Sequence, residues 1–450
     1  MAHMSNAMQR RCRWVMLLLL AVLSGCSAKA AGRPQARTED ARVTLPSGGL
    51  VYFRTLPRGP NDLWLQSLDG KRHQPLTSSG RVTMLPAVGA MPGPWGGAAI
   101  SPEGRRVAYA EFQGGETPAP SKSRGPVGGW TALFVVNADG TARREVVDLR
   151  RQSLPEGQVR AGSFIWSDDG RSLVYVLETL ATKDNGWNCS HVTLQSVEVE
   201  SGRVTRLSEA HPLGHVTLLG WAVARGEVSL YGECARLSEE DGANSAPIPE
   251  GRFIVLRPAD GTLRQQSALA PSLSPRGTHV FIPSRPRTNA APSLYRLDAL
   301  SPARALPLEL PAGYEARLTW LHHSPIAFVS ATQRQLPPGE CAGVQPRQRL
   351  LYRLETETGQ LHRVRDEASG LNIVAVGPDD RYVLVGLLTG EFSMTVPCGR
   401  VPLEALYLVP RHDLESELSL DALRRRAIPL TPPRPWSSSG TFPEYVGWVR

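Results

Sequence analysis

From residue 49 onward the chain alternates short apolar runs with polar turn signals, and one frame keeps returning. In FIWSDDGRSLVYVLE (164–178) an apolar run meets an Asp-Asp-Gly turn, and a second apolar run follows. VTLQSVEVESGRVTRLS (192–208) adds two further runs around a Ser-Gly turn. Runs of about four to eight residues rich in Val, Leu and Tyr, bounded by Gly, Asp and Ser, read as strands. Asp-Gly and Ser-Gly supply the positive φ that tight hairpins need. The stretch therefore predicts a four-stranded antiparallel meander.

The frame recurs. AAISPEGRRVAYAEF (98–112) leads to ALFVVNADGTARREVV (132–147), and LLGWAVARGEVSLYGE (218–233) leads to FIVLRPADGTLRQQS (253–267). PSLSPRGTHVFIPS (271–284) leads to SLYRLDALSPARALPL (293–308), and RLTWLHHSPIAFVSA (317–331) leads to LLYRLETETGQLHRV (350–364). VAVGPDDRYVLVGLL (374–388) leads to ALYLVPRHDLESEL (405–418), which completes six four-strand units. A seventh is split. GLVYFRT (49–55) and DLWLQSLDGKRHQPLTS (62–78) match second, third and fourth strands but lack a first. EYVGWVR (444–450) has the missing form, with Trp448 in register with Ile100, Trp166, Trp221, Leu273, Trp320 and Val376. The expectation is an all-β, seven-bladed β-propeller closed by its C-terminal strand, with six blades as the alternative. A lone four-stranded sheet is too small to stand by itself, and ring closure leaves no end sheet with an uncovered apolar face. The in-register tryptophans read as packing between blades rather than a ligand cage.

ISPEGRRVAYA (100–110) and WSDDGRSLVYV (166–176) resemble the repeat of TolB-type propellers, a form of WD-like repeat, whose pattern is close to F-S-P-D-G-x-x-I-A-F. LSPRGTHVFI (273–282) and VGPDDRYVLV (376–385) resemble it next best, and LTWLHHSPIAFV departs from it. The resemblance covers most of 49–450 and implies the propeller fold. TolB itself carries an α/β domain before six blades, so its partners do not carry over.

The first residues have another character. Arg10, Arg11 and Arg13 precede the apolar run Trp14–Leu23, which is too short to span a bilayer. LSGC, ending at Cys26, resembles the lipobox of bacterial lipoproteins, which implies cleavage before Cys26 and lipidation of that residue; the plain alternative is a secretory signal. Residues 1–7 read as an expression remnant or an upstream start. The expected organisation is a signal peptide over 1–25, a lipidated flexible tether over 26–46 rich in Ala, Gly, Pro and Arg, and the propeller over 47–450. The expected place is the bacterial envelope, anchored by lipid. Ser27 after the cysteine would imply the outer membrane in a Gram-negative cell, facing the periplasm or the cell surface. Net charge is +8, of which three charges precede Cys26. The arginines are scattered, with acids among them, and form no stripe or module that would mark a nucleic-acid partner.

Cys189, Cys234, Cys341 and Cys398 each fall between the second and third strand of a blade. Connections of that kind leave one face, so the expected disulfides are Cys189–Cys234 and Cys341–Cys398, between neighbouring blades. A metal site is the alternative, without Cys-x-x-Cys or Cys-His spacing to support it. The same connections are the long ones, at 113–130, 179–191, 234–251, 332–348 and 389–403, and they carry Trp130 and Trp187 as candidate binding residues. Long loops on a rigid frame make a natural binding surface.

Catalytic signatures are missing: no G-x-S-x-G, no phosphate-binding loop, no H-E-x-x-H. Asp-Asp pairs and His322-His323 fall in hairpin slots and read as turn chemistry. His191, His211 and His215 cluster in sequence without ligand spacing, and a weak metal or lyase-like site is their other reading. The expectation is a non-enzymatic envelope lipoprotein that binds or scaffolds an envelope protein, without cofactor or metal. A propeller enzyme acting on a glycan or polymer, or a ligand or metal sensor, is the alternative.

Overall fold

Antiparallel ladders join the chain into seven four-strand sheets, three of them with a short extra strand. The computed structural model describes residues 48–54, 62–83, 97–112, 130–152, 159–179, 187–188, 190–236, 249–268, 270–283, 291–299, 305–333, 348–365, 370–396, 399–431, 434–435 and 444–450. The predicted split blade is real. Glu444–Val449 pairs with Gly49–Arg54, which pairs with Asp62–Ser67 and then His73–Pro75. Leu50 lies opposite Trp448. We number this sheet blade 1, and blades 2 to 7 follow in chain order from Ala98–Ile100, Val159–Trp166, His215–Ala222, Ser272–Leu273, Tyr314–Trp320 and Leu371–Val376, their innermost strands.

The core lies between sheets, because alternate residues of each strand face opposite neighbours. Leu173, Tyr175 and Leu177 of blade 3 pack with Leu133 and Val135 of blade 2, whereas Val174 and Val176 pack with Val228 and Leu230 of blade 4. Each fully buried side chain of this kind contributes about 1.5–3 kcal/mol. The in-register tryptophans reach backwards across these seams. Trp166 Nε1 donates to the Ala99 carbonyl at 3.0 Å, and Trp320 Nε1 to Ser272 Oγ at 2.8 Å. Trp448 lies 3.5 Å from where a Cβ on Gly377 would sit, on the seam between blades 7 and 1.

Blade 7 departs from the expected frame twice. The segment read as a third strand, turn and fourth strand over 405–418 instead leaves its third strand at Pro410 and forms two short helices, Arg411–Leu414 and Leu420–Arg426. The fourth strand follows them at Ile428–Pro429. Ser419 caps the second helix by accepting from the Ala422 amide, and Leu414 and Leu423 are fully buried. Arg365, buried in the fourth strand of blade 6, donates to the carbonyls of Leu414, Leu418, Asp413 and Ser416. One guanidinium thus satisfies the carbonyls left open where the first helix ends. The stretch 389–403, expected as a loop, continues the second and third strands as a bulged hairpin out to Val396 and Gly399.

Strand direction alternates, so connections fall on two faces. The turns joining strands one to two and three to four share the hairpin face; connections from two to three share the loop face. On the hairpin face every blade is bonded to the next. Arg450 N donates to Gly104 O at 2.7 Å, Arg106 Nη2 to Gly170 O at 2.8 Å, and Val223 N to Asp168 Oδ1 at 3.0 Å. Arg225 Nη2 donates to Gly277 O at 2.7 Å and Arg276 Nη2 to His323 O at 2.9 Å. Asp380 links blade 7 to blade 6, and Arg450 Nη2 reaches Pro378 O at 3.5 Å to close the circle. Gly170 shows why these turns are tight. Its φ is +69°, and a Cβ there would sit 2.5 Å from Glu103 Oε2 of the neighbouring blade.

Candidate binding face

The loop face is built on strand ends that carry buried carboxylates. Glu111 ends the second strand of blade 2 and faces blade 1. It accepts from Ser79 Oγ at 2.7 Å and Arg143 Nη2 at 3.0 Å. The same guanidinium lies 4.1 Å over the Phe134 ring and donates to the Tyr109 hydroxyl, whose pKa burial pushes up to about 12. Glu178, near the end of the second strand of blade 3, pairs with Arg160 and accepts weakly from the Val216 amide of blade 4 at 3.4 Å. Glu404 in blade 7 differs. It is 4% exposed, its Oε1 has no hydrogen-bond partner among the described residues, and burial raises its pKa to about 7 against a weaker opposing pull from Arg349. Gly386 makes room for it, since a Cβ there would meet Glu404 Oε1 at 1.9 Å.

Trp130 sits inside the packing rather than on the rim. It is 2% exposed, donates from Nε1 to Gly162 O at 2.6 Å and meets Tyr175 edge-on at 5.5 Å. The backbone of Trp187 lies on a two-residue strand that leaves blade 3 and pairs with blade 4, Trp187 opposite Arg236 and Asn188 opposite Ala235. This ladder joins the long connections of two neighbouring blades. Cys26, Cys189, Cys341 and Cys398 lie outside the described residues; Cys234 follows Glu233 on the second strand of blade 4, opposite Glu250.

The histidines do not converge. His191 lies opposite Pro212, and His211 opposite Val192, so the register sets the two on opposite faces of the sheet. His215 belongs to blade 4, opposite Glu233. No group of three His, Cys, Asp or Glu that could hold a metal occurs among the described residues. A groove of about 620 Å³ does open between blades 3 and 4, with Leu207, Leu256 and Pro258 along it and His211, Asp260 and the Arg206–Glu209 ion pair at its polar positions. Such a groove can seat a short apolar segment flanked by polar groups; Ser208 also lines it, its Oγ accepting from the Leu194 amide at 3.1 Å.

Reasoning along the sequence missed Arg160–Glu178, Arg143–Glu111 and the buried Glu404. Each depends on cross-strand register. A glutamate closing a Tyr-rich second strand, as in AYAE and VYVLE, is the one local signal that pointed there.

No family model matches the chain, and no curated protein matches it. Solved structures do. TolB from Acinetobacter baumannii is 14% identical, over 71% of this chain and 64% of that one, with a TM-score of 0.36. An oligogalacturonate lyase in complex with manganese is 14% identical over 78% and 83% of the two chains, with a TM-score of 0.45. The β-propeller domain of the Trilobed protease from Pyrococcus furiosus is 12% identical over 81% and 94%, with a TM-score of 0.38. The chain thus spans less than two thirds of that TolB chain, and these likenesses decide nothing about chemistry.

Proposed function

We propose that this chain is a lipid-anchored protein of the bacterial envelope whose propeller binds or scaffolds another envelope component through its loop face. The observation that carries the reading is the difference between the two faces. On the hairpin face the short turns from first to second strand are bonded blade to blade around the whole ring. The long connections leave the other face, where a two-residue ladder links blades 3 and 4. Rigid strands that present long loops are the usual geometry of a recognition surface. The alternative, an enzyme acting on a polymer, gains little from Glu178, because Arg160 holds it as a carboxylate partner.

The test is crosslinking and affinity capture from native membranes with the intact chain and with a variant whose 113–129 and 237–248 connections are shortened to turns. Capture of a defined envelope protein should disappear in the variant while its melting temperature stays within a few degrees. Retained capture sinks the reading, and Cys26→Ser should release the protein from the membrane fraction.

Cys189–Cys234 and Cys341–Cys398 remain proposals on the same face. The pairing of Trp187–Asn188 with Ala235–Arg236 supports the first, since it brings the flanking segments into one ladder. Peptide mapping without reductant should recover both links, each worth up to about 4 kcal/mol in the chain-entropy account. Free thiols at all four positions would refute them.

A further inference from the structure

The groove between blades 3 and 4 lies beside an open sheet edge. The fourth strand of blade 3, Val204–Arg206, is the outermost of its sheet. Its register shows which backbone groups point away from the sheet. Arg203 O accepts from Glu198 N, and Leu207 N donates to Leu194 O, so residues 203, 205 and 207 bond inward. The N–H and C=O of Val204 and Arg206 therefore point outward, where no described strand meets them. Just past Arg206 the strand breaks. Leu207 N and Ser208 N both reach Leu194 O, at 2.8 and 3.3–3.5 Å respectively by the usual hydrogen-bond range, and the chain rejoins the sheet at His211–Pro212. At this bulge Leu207 packs against the cluster that holds Leu256 of blade 4.

The far wall consists of Leu256, Pro258 and Leu263, which lies opposite Leu256 in the ladder and is 36% exposed. Ties on the other sides fix the angle between the two blades. At the inner edge Ser163 Oγ accepts from Leu218 N at 2.7 Å, and on the hairpin face Asp168 N donates to Trp221 O at 3.0 Å. On the loop face Trp187–Asn188 pairs with Ala235–Arg236. The groove is thus shaped before anything binds. Its volume of about 620 Å³ would suit a small molecule. Its polar side chains point elsewhere, because, His211 apart, the fold already engages them. Arg206 donates to Ser208 O and Glu209, Ser208 Oγ accepts from Leu194 N, and Asp260 Oδ1 accepts from Thr262 N. What stays unmet is apolar surface and, at the lip, the outward backbone groups of Val204 and Arg206.

We propose that the lip and groove take an extended segment of another protein, which adds a strand beside Val204–Arg206. Its backbone bonds the outward groups of those two residues. Its residues opposite Thr205 and Leu207 share their face of the sheet and so direct apolar side chains toward Leu256, Pro258 and Leu263. The site lies at the outer edge of the blades, apart from the long connections of the loop face, and gives the propeller a second recognition surface.

Selection of a random decapeptide library, displayed on phage, against the whole protein tests this, with fluorescence anisotropy on the selected peptides. Selected sequences should share apolar residues two apart. Val204→Pro removes one outward N–H and no ladder bond, and should weaken binding by about threefold to tenfold. Leu263→Glu puts a charge in the groove and should weaken it further. Methylating alternate peptide amides reads the backbone bonds without touching the protein: one register should abolish binding, and the other should keep it. If Val204→Pro does not fold, Leu263→Glu and the methylated peptides decide. Shortening 113–129 and 237–248 should leave peptide binding intact, which separates this surface from the loop face. A library without binders, peptides that bind both variants as tightly as wild type, or peptides indifferent to the methylation register overturn the proposal. So does binding seen only after deletion of 27–46, which would make that segment the occupant, or self-association that the peptides compete away, which would make a second copy the occupant.

Discussion

Deleting Glu444 to Arg450 is expected to abolish the cooperative melt of the ring, a far larger effect than seven terminal residues usually have. Val446, Trp448 and Val449 are all buried, and at about 1.5–3 kcal/mol each their loss removes roughly 5–9 kcal/mol. That figure is an upper estimate, yet it rivals the total stability of an ordinary domain, about 5–15 kcal/mol. The damage extends further. Leu50 and Val51, now 0% exposed, lose the strand that pairs with theirs, and Arg450 no longer joins blade 1 to Gly104 and Pro378. Calorimetry on the truncated chain should show a broad, early transition. A sharp melt at the parent temperature would mean that Glu444–Val449 does not close the ring.

Glu404→Gln should stabilise the protein at alkaline pH, an unusual sign for a buried polar substitution. The other buried acids described here, Glu111, Asp148, Glu178, Glu227, Asp380 and Asp413, each accept from an arginine or a backbone amide. Glu404 Oε1 has no hydrogen-bond partner among the described residues, and its folded pKa of about 7 lies above the ordinary 4.5. The folded state therefore binds more protons than the unfolded state between those values. Stability from this group is complete below pH 4.5 and is lost as pH rises through 7, by about 3 kcal/mol in total. Glutamine carries no charge to desolvate, so urea unfolding at pH 8 should favour the variant by up to that amount, and the two proteins should converge near pH 4. A loss of stability at pH 8 would show that a cation holds the carboxylate, Arg349 being the one whose pull already opposes the shift.

What could be read along the chain was what repeats. The seven-blade count and the closing strand followed from one frame whose turn residues and strand lengths are local properties. The departures share a different cause. Leu414 and Leu423 take part in two short helices held by Arg365 from another blade, a contact about fifty residues distant in sequence that no local pattern encodes. Asp380 has the composition of any turn residue, and only the approach of the next hairpin turns it into a latch. Trp130 lies at the end of a long Gly- and Pro-rich stretch and suggested an exposed rim, whereas its partner, the Gly162 carbonyl, belongs to blade 3. Strand register, the quantity that decides which charges meet, is fixed by the whole ring.

The place where the chain enters the propeller has a mechanical meaning. Gly48 lies against the closing strand, where a Cβ would sit 2.0 Å from the Val449 carbonyl, and the next residues run directly into the second strand of blade 1. That strand is flanked on both sides, by Glu444–Val449 and by Asp62–Ser67. A pull on Gly48 along the strand therefore loads two ladders in shear, so that their hydrogen bonds resist together instead of unzipping one by one. Under the proposed lipid anchorage, a load on the tether meets the ring at its closing blade, in the geometry best suited to bear it.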